Sequence, residues 1–375
     1  MKRLADICCI ICFFLVVGVF FYPTILQGKL PVPSDALVGL YHPWRDLYNT
    51  TNPRGVPFKN FLITDPVRQQ IPWRKIAIDQ WKDRILPRWN SYNFSGTPLA
   101  GNIQAAVFYP FNILFLLFDF PIAWTMLIIL QPALAGFFLY GYLRNRHLHP
   151  YAALLGAIAW SFSGFAVAWM TWGTILHVAL WLPLVLLSID KLIEAQQRRQ
   201  NIVWSLLLAV GLAMQVFAGH IQIALYCMGV VLAYTGYRIW QLKGNRTKSM
   251  LWIALGIGIF VLITAIQWLP MITLVFESGR IFEAENWARE GWFIPWQNLA
   301  QFVAPDFFGN PATLNYWGVW NYGEFIGYIG AIPLLFGLFA VLSKNRGKDI
   351  VFWTVSVGLA LAFSLPTPVA KIPYL

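Results

Sequence analysis

Two of the aspartates in the long polar segment 27–104 have positions that suit catalysis at a membrane surface. Asp35 comes nine residues after the first apolar run, close enough for its carboxylate to meet the headgroup of a lipid-linked substrate. A carboxylate there could act as a general base on an acceptor hydroxyl or help to hold a divalent cation. Asp65 is a second catalytic candidate. The plainer alternatives are a solvated loop acid at Asp35 and an Asx-type turn at Asp65.

Basic and aromatic side chains are interleaved along the same segment, and they include Trp44 and Arg68. A guanidinium can bind a phosphate through two hydrogen bonds, and an indole ring offers a flat apolar face to a sugar. We therefore predict that Trp44 and Arg68 bind substrate. The alternative is that the basic residues bind anionic lipid headgroups nonspecifically while the tryptophans form an interfacial belt.

Further candidates for substrate binding lie later in the chain. His220 and Gln222 stand at a predicted junction between two helices, where an imidazole could bind a phosphate or transfer a proton. Arg280 follows the end of a predicted span and suits an anionic partner. The alternatives are a histidine that only caps the turn and an arginine that only anchors the chain at the interface.

The composition indicates which class of protein carries these residues. Of the 375 residues, 58% are hydrophobic and 11% are charged, whereas a soluble domain carries about twice that charge. The formal charge of +11 would suggest nucleic acid in a soluble protein, but much of the basic excess lies in short loops between apolar runs. No Cys/His spacing typical of a metal site occurs. We predict an all-α, polytopic transmembrane helical bundle that binds no nucleic acid.

The apolar runs predict about nine spans in a single transmembrane domain over residues 1–375. The predicted spans are 4–26, 119–143, 150–171, 174–189, 201–218, 221–240, 251–276, 325–342 and 350–365. The connections between them include a first outer loop (27–104), a re-entrant or interfacial segment (105–118) and a second large outer loop (277–323). The chain stops in a polar and aromatic segment without a closing helix, so we expect further spans beyond it.

The short basic loops predict the orientation. With nine spans and a cytoplasmic N-terminus, every short connection that bears Lys or Arg falls on the cytoplasmic side, as the positive-inside rule requires. The first outer loop is also basic, but long loops cross membranes largely regardless of their charge. We therefore predict a multi-pass protein of a cytoplasmic membrane with both large loops outside.

A series of short motifs resembles the bacterial YfhO-type membrane proteins, which are similar to GT-C glycosyltransferases. In chain order the motifs are Asp35, Tyr41-His42-Pro43-Trp44, Leu86-Pro87-Arg88-Trp89-Asn90, Gly96-Thr97-Pro98-Leu99-Ala100, Gln104, Phe108-Tyr109-Pro110-Phe111-Asn112, Tyr140-Gly141-Tyr142-Leu143, Trp160-Ser161-Phe162-Ser163-Gly164, Gly219-His220-Ile221-Gln222, Leu269-Pro270, Ser278-Gly279-Arg280 and Gly327-Tyr328-Ile329-Gly330. The resemblance covers nearly the whole chain, and the order of the motifs is more specific than any one of them.

The resemblance implies a GT-C-like fold and a membrane enzyme that moves a sugar from a polyprenyl-phosphate carrier to a cell-envelope glycan, lipid or protein. Its catalytic candidate is the aspartate of the first outer loop, which is Asp35 here. It leaves open whether a divalent cation is needed. A transporter or flippase of lipid-linked sugars, without bond chemistry, is the alternative function. Few ionisable residues lie in the predicted membrane interior, which disfavours an ion-coupled transporter.

Overall fold

Helices dominate the computed structural model, which describes residues 2–50, 63–279, 293–319 and 321–374. The described α-helices are α1 (Lys2–Phe20), α2 (Tyr22–Gln27), α3 (Asp35–Leu40), α4 (Trp44–Asn49), α5 (Ile71–Lys82), α6 (Ile113–Leu117), α7 (Phe120–Asn145), α8 (Pro150–Ser161), α9 (Gly164–Trp169), α10 (Ile175–Ala179), α11 (Leu182–Glu194), α12 (Arg198–Phe217), α13 (Ile221–Gln241), α14 (Arg246–Phe276), α15 (Ala331–Leu342) and α16 (Lys348–Ser364). In the long first loop, the short strands β1 (Trp89–Asn90) and β2 (Thr97–Pro98) form an antiparallel pair.

Several of these helices are long and apolar enough to cross a membrane. Within the described ranges there are six, namely Arg3–Phe20, Phe120–Asn145, Ile175–Glu194, Arg198–Phe217, Ile221–Gln241 and Arg246–Phe276. The bent pair α8 and α9 makes a seventh if it counts as one span. The prediction of an all-α, polytopic transmembrane bundle is therefore confirmed.

The last two predicted spans are shorter than the sequence suggested. Helix α15 has 12 residues and begins at Ala331 rather than near Phe325. The residues just before α15 contact another part of the protein instead of continuing the helix, because the Tyr328 carbonyl accepts a hydrogen bond from the Gly164 N–H at 2.7 Å. Helix α16 has 17 residues. Both helices lie where spans were predicted, but α15 is too short to cross the hydrocarbon core of a bilayer.

Small residues let the long helices approach one another closely. A methyl group at Gly136 of α7 would lie 2.1 Å from the Phe13 ring of α1, and one at Gly211 of α12 would lie 2.7 Å from Val185 of α11. At Gly256 of α14 the nearest atom would be the Ser205 carbonyl oxygen, at 2.9 Å. Apolar side chains gain little by leaving lipid for a helix interface, so close van der Waals packing at small residues is what holds such helices together.

Charged side chains meet where several helices end, and we call this the ionic end of the bundle. It comprises Asp6, Arg144, Arg146, Asp190, Arg238 and Asp349. Arg144 Nε lies 2.6 Å from Asp6 Oδ1, which ties the end of α7 to the start of α1. Arg146 pairs with both Asp190 and Asp349, and Arg238 Nε lies 2.7 Å from the fully buried Asp190. The starts of α1 and α16 therefore lie beside the ends of α7, α11 and α13.

The opposite end of the bundle carries the long connections, and we call it the loop end. Here the Ile294 N–H donates to the Ser364 carbonyl at the end of α16, at 2.8 Å. The turn before α13 contacts the first loop, because a Cβ at Gly219 would meet the Ile103 carbonyl oxygen at 2.9 Å. Gly219 has φ +100°, which a residue with a side chain rarely adopts. Successive long helices thus alternate in direction between the two ends.

Candidate functional site

A bend between α8 and α9 forms one wall of a cavity at the loop end. The two helices meet at 41° because the backbone at Ser163 is extended, and the Ser163 hydroxyl caps α9 by accepting from the Ala166 N–H at 3.2 Å. The Ser161 hydroxyl donates to the Pro132 carbonyl at 2.8 Å and fixes the end of α8 against α7. The bend leaves the Gly164 N–H free to bind the Tyr328 carbonyl of the second loop.

The opposite wall is the part of the second loop between Pro305 and Tyr328, which hydrogen bonds within the loop hold in place. Asn310 is the hub, since its amide oxygen accepts from the Ala312 N–H and its own N–H donates to Asn315 Oδ1, each at 2.9 Å. The Asn310 amide NH₂ donates to Asp306 Oδ1 at 2.9 Å. Four residues of one loop are thus fixed relative to one another without a regular helix or strand.

The two walls enclose a cavity of about 380 Å³. This falls within the size range of small-molecule sites, roughly 300–1,000 Å³. Aromatic rings contribute much of the lining, and polar side chains converge on it from the second loop. The lining residues are Ile63, Phe162, Gly164, Val167, Ala168, Trp169, Thr171, Trp172, Pro305, Asp306, Asn310, Pro311, Asn321, Tyr322, Gly323, Ile326 and Tyr328.

The Asp306 carboxylate is held at one oxygen and open at the other. Oδ1 accepts from Asn310 at 2.9 Å and from the Tyr322 hydroxyl. Oδ2 has no hydrogen-bond partner among the described residues, so it can accept from a ligand hydroxyl. Burial and the hydrogen bond to Asp306 raise the pKa of Tyr322, so its phenol remains a donor at neutral pH. Asp306 is exposed, and its carboxylate is thus a fixed hydrogen-bond acceptor at the cavity wall.

The first loop reaches the cavity through Ile63, and a buried arginine anchors the stretch that follows. Arg74 of α5 is 1% exposed and donates to Asn112 Oδ1 at 2.6 Å and to the Gly173 carbonyl at 3.4 Å. Gly173 directly follows Trp172, which lines the cavity. Burial lowers the pKa of Arg74 to about 10, so the guanidinium is still charged at neutral pH. The first loop, the Trp172 turn and the cavity wall are therefore mechanically connected.

The two predicted catalytic residues have different surroundings. Asp65 is two residues from Ile63 in the chain, is half-buried, and accepts a long hydrogen bond of 3.4 Å from Gln69. Asp35 starts α3, is exposed, and forms no hydrogen bond or ion pair with any other described residue. Its neighbour Ala36 is 2% exposed, so the start of α3 is packed against the protein.

The predicted binding residues are not brought together at the cavity. Trp44 starts α4 and is 52% exposed, while the Arg68 guanidinium lies 5.8 Å from the Tyr41 ring centre. Gln222 is exposed, and its side chain donates to the Tyr226 hydroxyl at 2.9 Å. None of these residues lines the cavity. Arg280 lies outside the described residues.

His220 is half-buried just before α13. Burial lowers the pKa of His220, which favours the neutral imidazole. Its Nδ1 atom is buried and has no hydrogen-bond partner among the described residues. The adjacent Gly219 packs under the Ile103–Ala106 turn of the first loop, so His220 lies beneath that loop rather than in the cavity.

Within residues 2–50, 63–279, 293–319 and 321–374, no group of three or more His, Cys, Asp or Glu side chains could hold a metal ion.

Sequence reasoning missed the residues that form the cavity. Asp306, Asn310 and Tyr322 come from the second loop, and Trp169 and Trp172 follow the bend. Two signals were available, namely the polar and aromatic density of residues 305–328 and the serines that flank the bend. Neither signal predicts that these two segments meet.

Comparisons with known proteins identify the family. A family model described as "Bacterial membrane protein YfhO" matches residues 102–371. No curated protein and no solved structure matches. The matched range contains both cavity walls and His220, whereas Asp35 and Asp65 lie before it.

Proposed function

The chain belongs to the YfhO family of bacterial membrane proteins, and from that premise we propose that it is a GT-C-like glycosyltransferase of the cytoplasmic membrane. It takes a sugar from a polyprenyl-phosphate carrier in the bilayer and transfers it to a cell-envelope glycan, lipid or protein. The N-terminus and the ionic end face the cytoplasm, and the loop end faces outward. The basic short loops support this orientation.

The observation that carries the proposal is the lining of the cavity at the loop end. Sugars are recognised by hydrogen bonds to their hydroxyls and by contact of their apolar ring faces with aromatic side chains. The cavity supplies both, with Asp306, Asn310 and Tyr322 on one wall and Trp169 and Trp172 on the other. The cavity lies between the α8–α9 bend and the second loop, and the first loop reaches it through Ile63.

The transfer needs one base. The acceptor hydroxyl attacks the anomeric carbon, the bond from that carbon to the carrier phosphate breaks, and the hydroxyl proton passes to a carboxylate. Asp35 is the first candidate for this base because it is exposed and has no competing partner among the described residues. Asp65 is the second because it lies two residues from the cavity-lining Ile63. General-base catalysis typically contributes about 10²–10⁴-fold.

The departing carrier phosphate needs positive charge beside it. Arg68 at the surface of the first loop and Arg280 just after α14 are the candidates, because a guanidinium binds two phosphate oxygens at once. His220 could donate a further hydrogen bond, and Trp44 offers an exposed ring near the start of α4. Gln222 could bind the acceptor through its amide.

The test is transfer of a labelled sugar from a short-chain polyprenyl-phosphate donor by the purified protein in nanodiscs, with extracted cell-envelope material as acceptor. Wild type should form labelled product. We expect Asp35→Asn to lower the rate at least a hundredfold without changing the yield of folded protein, because an amide cannot take up a proton at neutral pH. Asp83→Asn, at an exposed acid of the same loop, is the matched control and should leave the rate unchanged.

Two outcomes would redirect the proposal. If Asp35→Asn keeps a rate within about threefold of wild type while Asp65→Asn loses it, Asp65 is the base. If no product forms but the labelled donor changes leaflet in proteoliposomes, the protein is a flippase and the glycosyltransferase proposal is wrong.

A further inference from the structure

We propose that the cavity at the loop end selects an uncharged sugar unit and rejects anionic ones, with Asp306 as the residue that determines this specificity. This inference rests on the proposed function and names the substrate class of the same site. It concerns the sugar alone, since the carrier phosphate would lie outside the cavity.

The charge of the lining is the first argument. Asp306 is the one acidic residue among the described lining residues, which include no lysine, arginine or histidine. Glu324, which follows the lining residue Gly323 in the chain, is also an acidic residue and not a basic one. A uronic acid or a phosphate in this cavity would place a second negative charge beside the Asp306 carboxylate. At an effective dielectric constant of about 20, that repulsion lowers affinity at least tenfold.

The fixed position of the carboxylate is the second argument. A flexible acid could turn away from an anionic ligand, but Asp306 Oδ1 is bound by both Asn310 and Tyr322. Asn310 is fixed in turn by Asn315 and the Ala312 N–H. We therefore expect the free Oδ2 atom to accept a charge-assisted hydrogen bond from a sugar hydroxyl.

The opposite wall supplies affinity without charge. The rings of Trp169 and Trp172 lie with their centroids 4.6 Å apart and at 59° to each other. Trp172 is buried and Trp169 half-buried, so their orientation is set by packing. An apolar ring face of a neutral pyranose can rest on such a surface while its hydroxyls point towards Asp306. The Asp306 wall would thus bind the hydroxyl groups of the sugar, and the tryptophan wall would contact its ring face.

The test compares methyl β-glucoside with methyl β-glucuronide, which differ by one carboxylate. Dissociation constants are measured by ligand-observed NMR on the protein in nanodiscs of zwitterionic lipid, so that the membrane surface adds no charge. Wild type should bind the glucoside at least tenfold more tightly. Asp306→Asn should narrow the difference to less than threefold, while Asp83→Asn, the matched charge control outside the cavity, should preserve it. Ala168→Phe, which fills the cavity, should abolish glucoside binding and so assign it to this site.

Three results would overturn the inference. They are equal or tighter binding of the glucuronide by wild type, an unchanged preference in Asp306→Asn, and no binding of the glucoside. Transfer activity is measured separately, so the two proposals can fail independently. Product formation together with indiscriminate sugar binding would leave the glycosyltransferase standing without this specificity. Selective binding by a protein that makes no product would support the neutral-sugar site and contradict the glycosyltransferase proposal.

Discussion

Replacing Arg74 by methionine should alter sugar binding while leaving the protein almost as stable as before. Arg74 is buried, and no described carboxylate lies within ion-pair distance of it. Its guanidinium instead binds Asn112 and the Gly173 carbonyl, and its Nε–H has no partner among the described residues. A buried charge without a counter-charge is costly, so a purely structural role would favour an apolar residue here.

Arg74→Met has two opposite effects on the free energy of unfolding, and they are similar in size. Burial lowers the pKa of Arg74 from 12.5 to about 10, which corresponds to about 3 kcal/mol of cost for the charged form. Removing the guanidinium relieves that cost but leaves Asn112 Oδ1 without its donor, which costs about 1–3 kcal/mol. We expect the free energy of unfolding of Arg74→Met to change by less than about 2 kcal/mol. The substitution also removes the hydrogen bond from Arg74 to the Gly173 carbonyl, which holds the turn that contains Trp172, so glucoside binding should weaken severalfold.

Unfolding by SDS titration gives the stability, and ligand-observed NMR gives the binding. Arg238→Met is the matched control, because it leaves the fully buried Asp190 with less positive charge. Breaking a buried ion pair costs about 3–5 kcal/mol, so this variant should be clearly less stable than Arg74→Met. Equal destabilisation by the two substitutions would refute the reasoning, since it would mean that Arg74 neutralises a buried acid. Unchanged glucoside binding in Arg74→Met would refute the mechanical link to the cavity.

Gly164→Ala should abolish glucoside binding, because the new methyl would lie 1.9 Å from Ile326 Cγ2. Adding Ile326→Ala should restore part of the glucoside binding, which a double-mutant cycle would measure. Burial holds the pKa of His220 below its usual 6.5, so as the pH falls the unfolded chain binds a proton at this residue before the folded protein does, and the folded protein loses stability. His220→Gln should therefore lose less thermal stability than wild type between pH 7 and pH 5. An equal loss in the two proteins would contradict this. Single cysteines at Asp35 and Arg198, in a cysteine-free background, should react with an impermeant reagent on intact cells only at position 35, and labelling at 198 alone would reverse the orientation.

The helices could be predicted because each has to satisfy its own backbone within lipid, which makes apolar length a direct signal. The bend at Ser163 was hidden in the apolar run 150–171. Helices at membrane depth tolerate such breaks where other protein groups satisfy the backbone, and here Tyr328 binds the freed Gly164 N–H. The late start of α15 has the same origin. Both differences depend on contacts between distant segments.

The candidate site was predictable only in part. Charge and exposure pointed to acids in the first loop, and the loop end of the bundle does carry a cavity that this loop touches through Ile63. Asp306 gave no comparable signal, since an acid in a polar loop is ordinarily just solvated. Its significance comes from Asn310 and Tyr322, which hold one of its oxygens, and from Trp169 across the cavity. That arrangement requires the folded chain.

The most direct measurement is a cryo-EM density map of the protein in nanodiscs with a non-hydrolysable polyprenyl-phosphonate sugar bound. We predict the sugar ring in the cavity against Trp169 and Trp172, with a hydroxyl within hydrogen-bond distance of Asp306 Oδ2 and the phosphonate outside the cavity. The anomeric carbon should face Asp35 or Asp65. Density for the sugar at the ionic end, or for the phosphonate beside Asp306, would contradict the account.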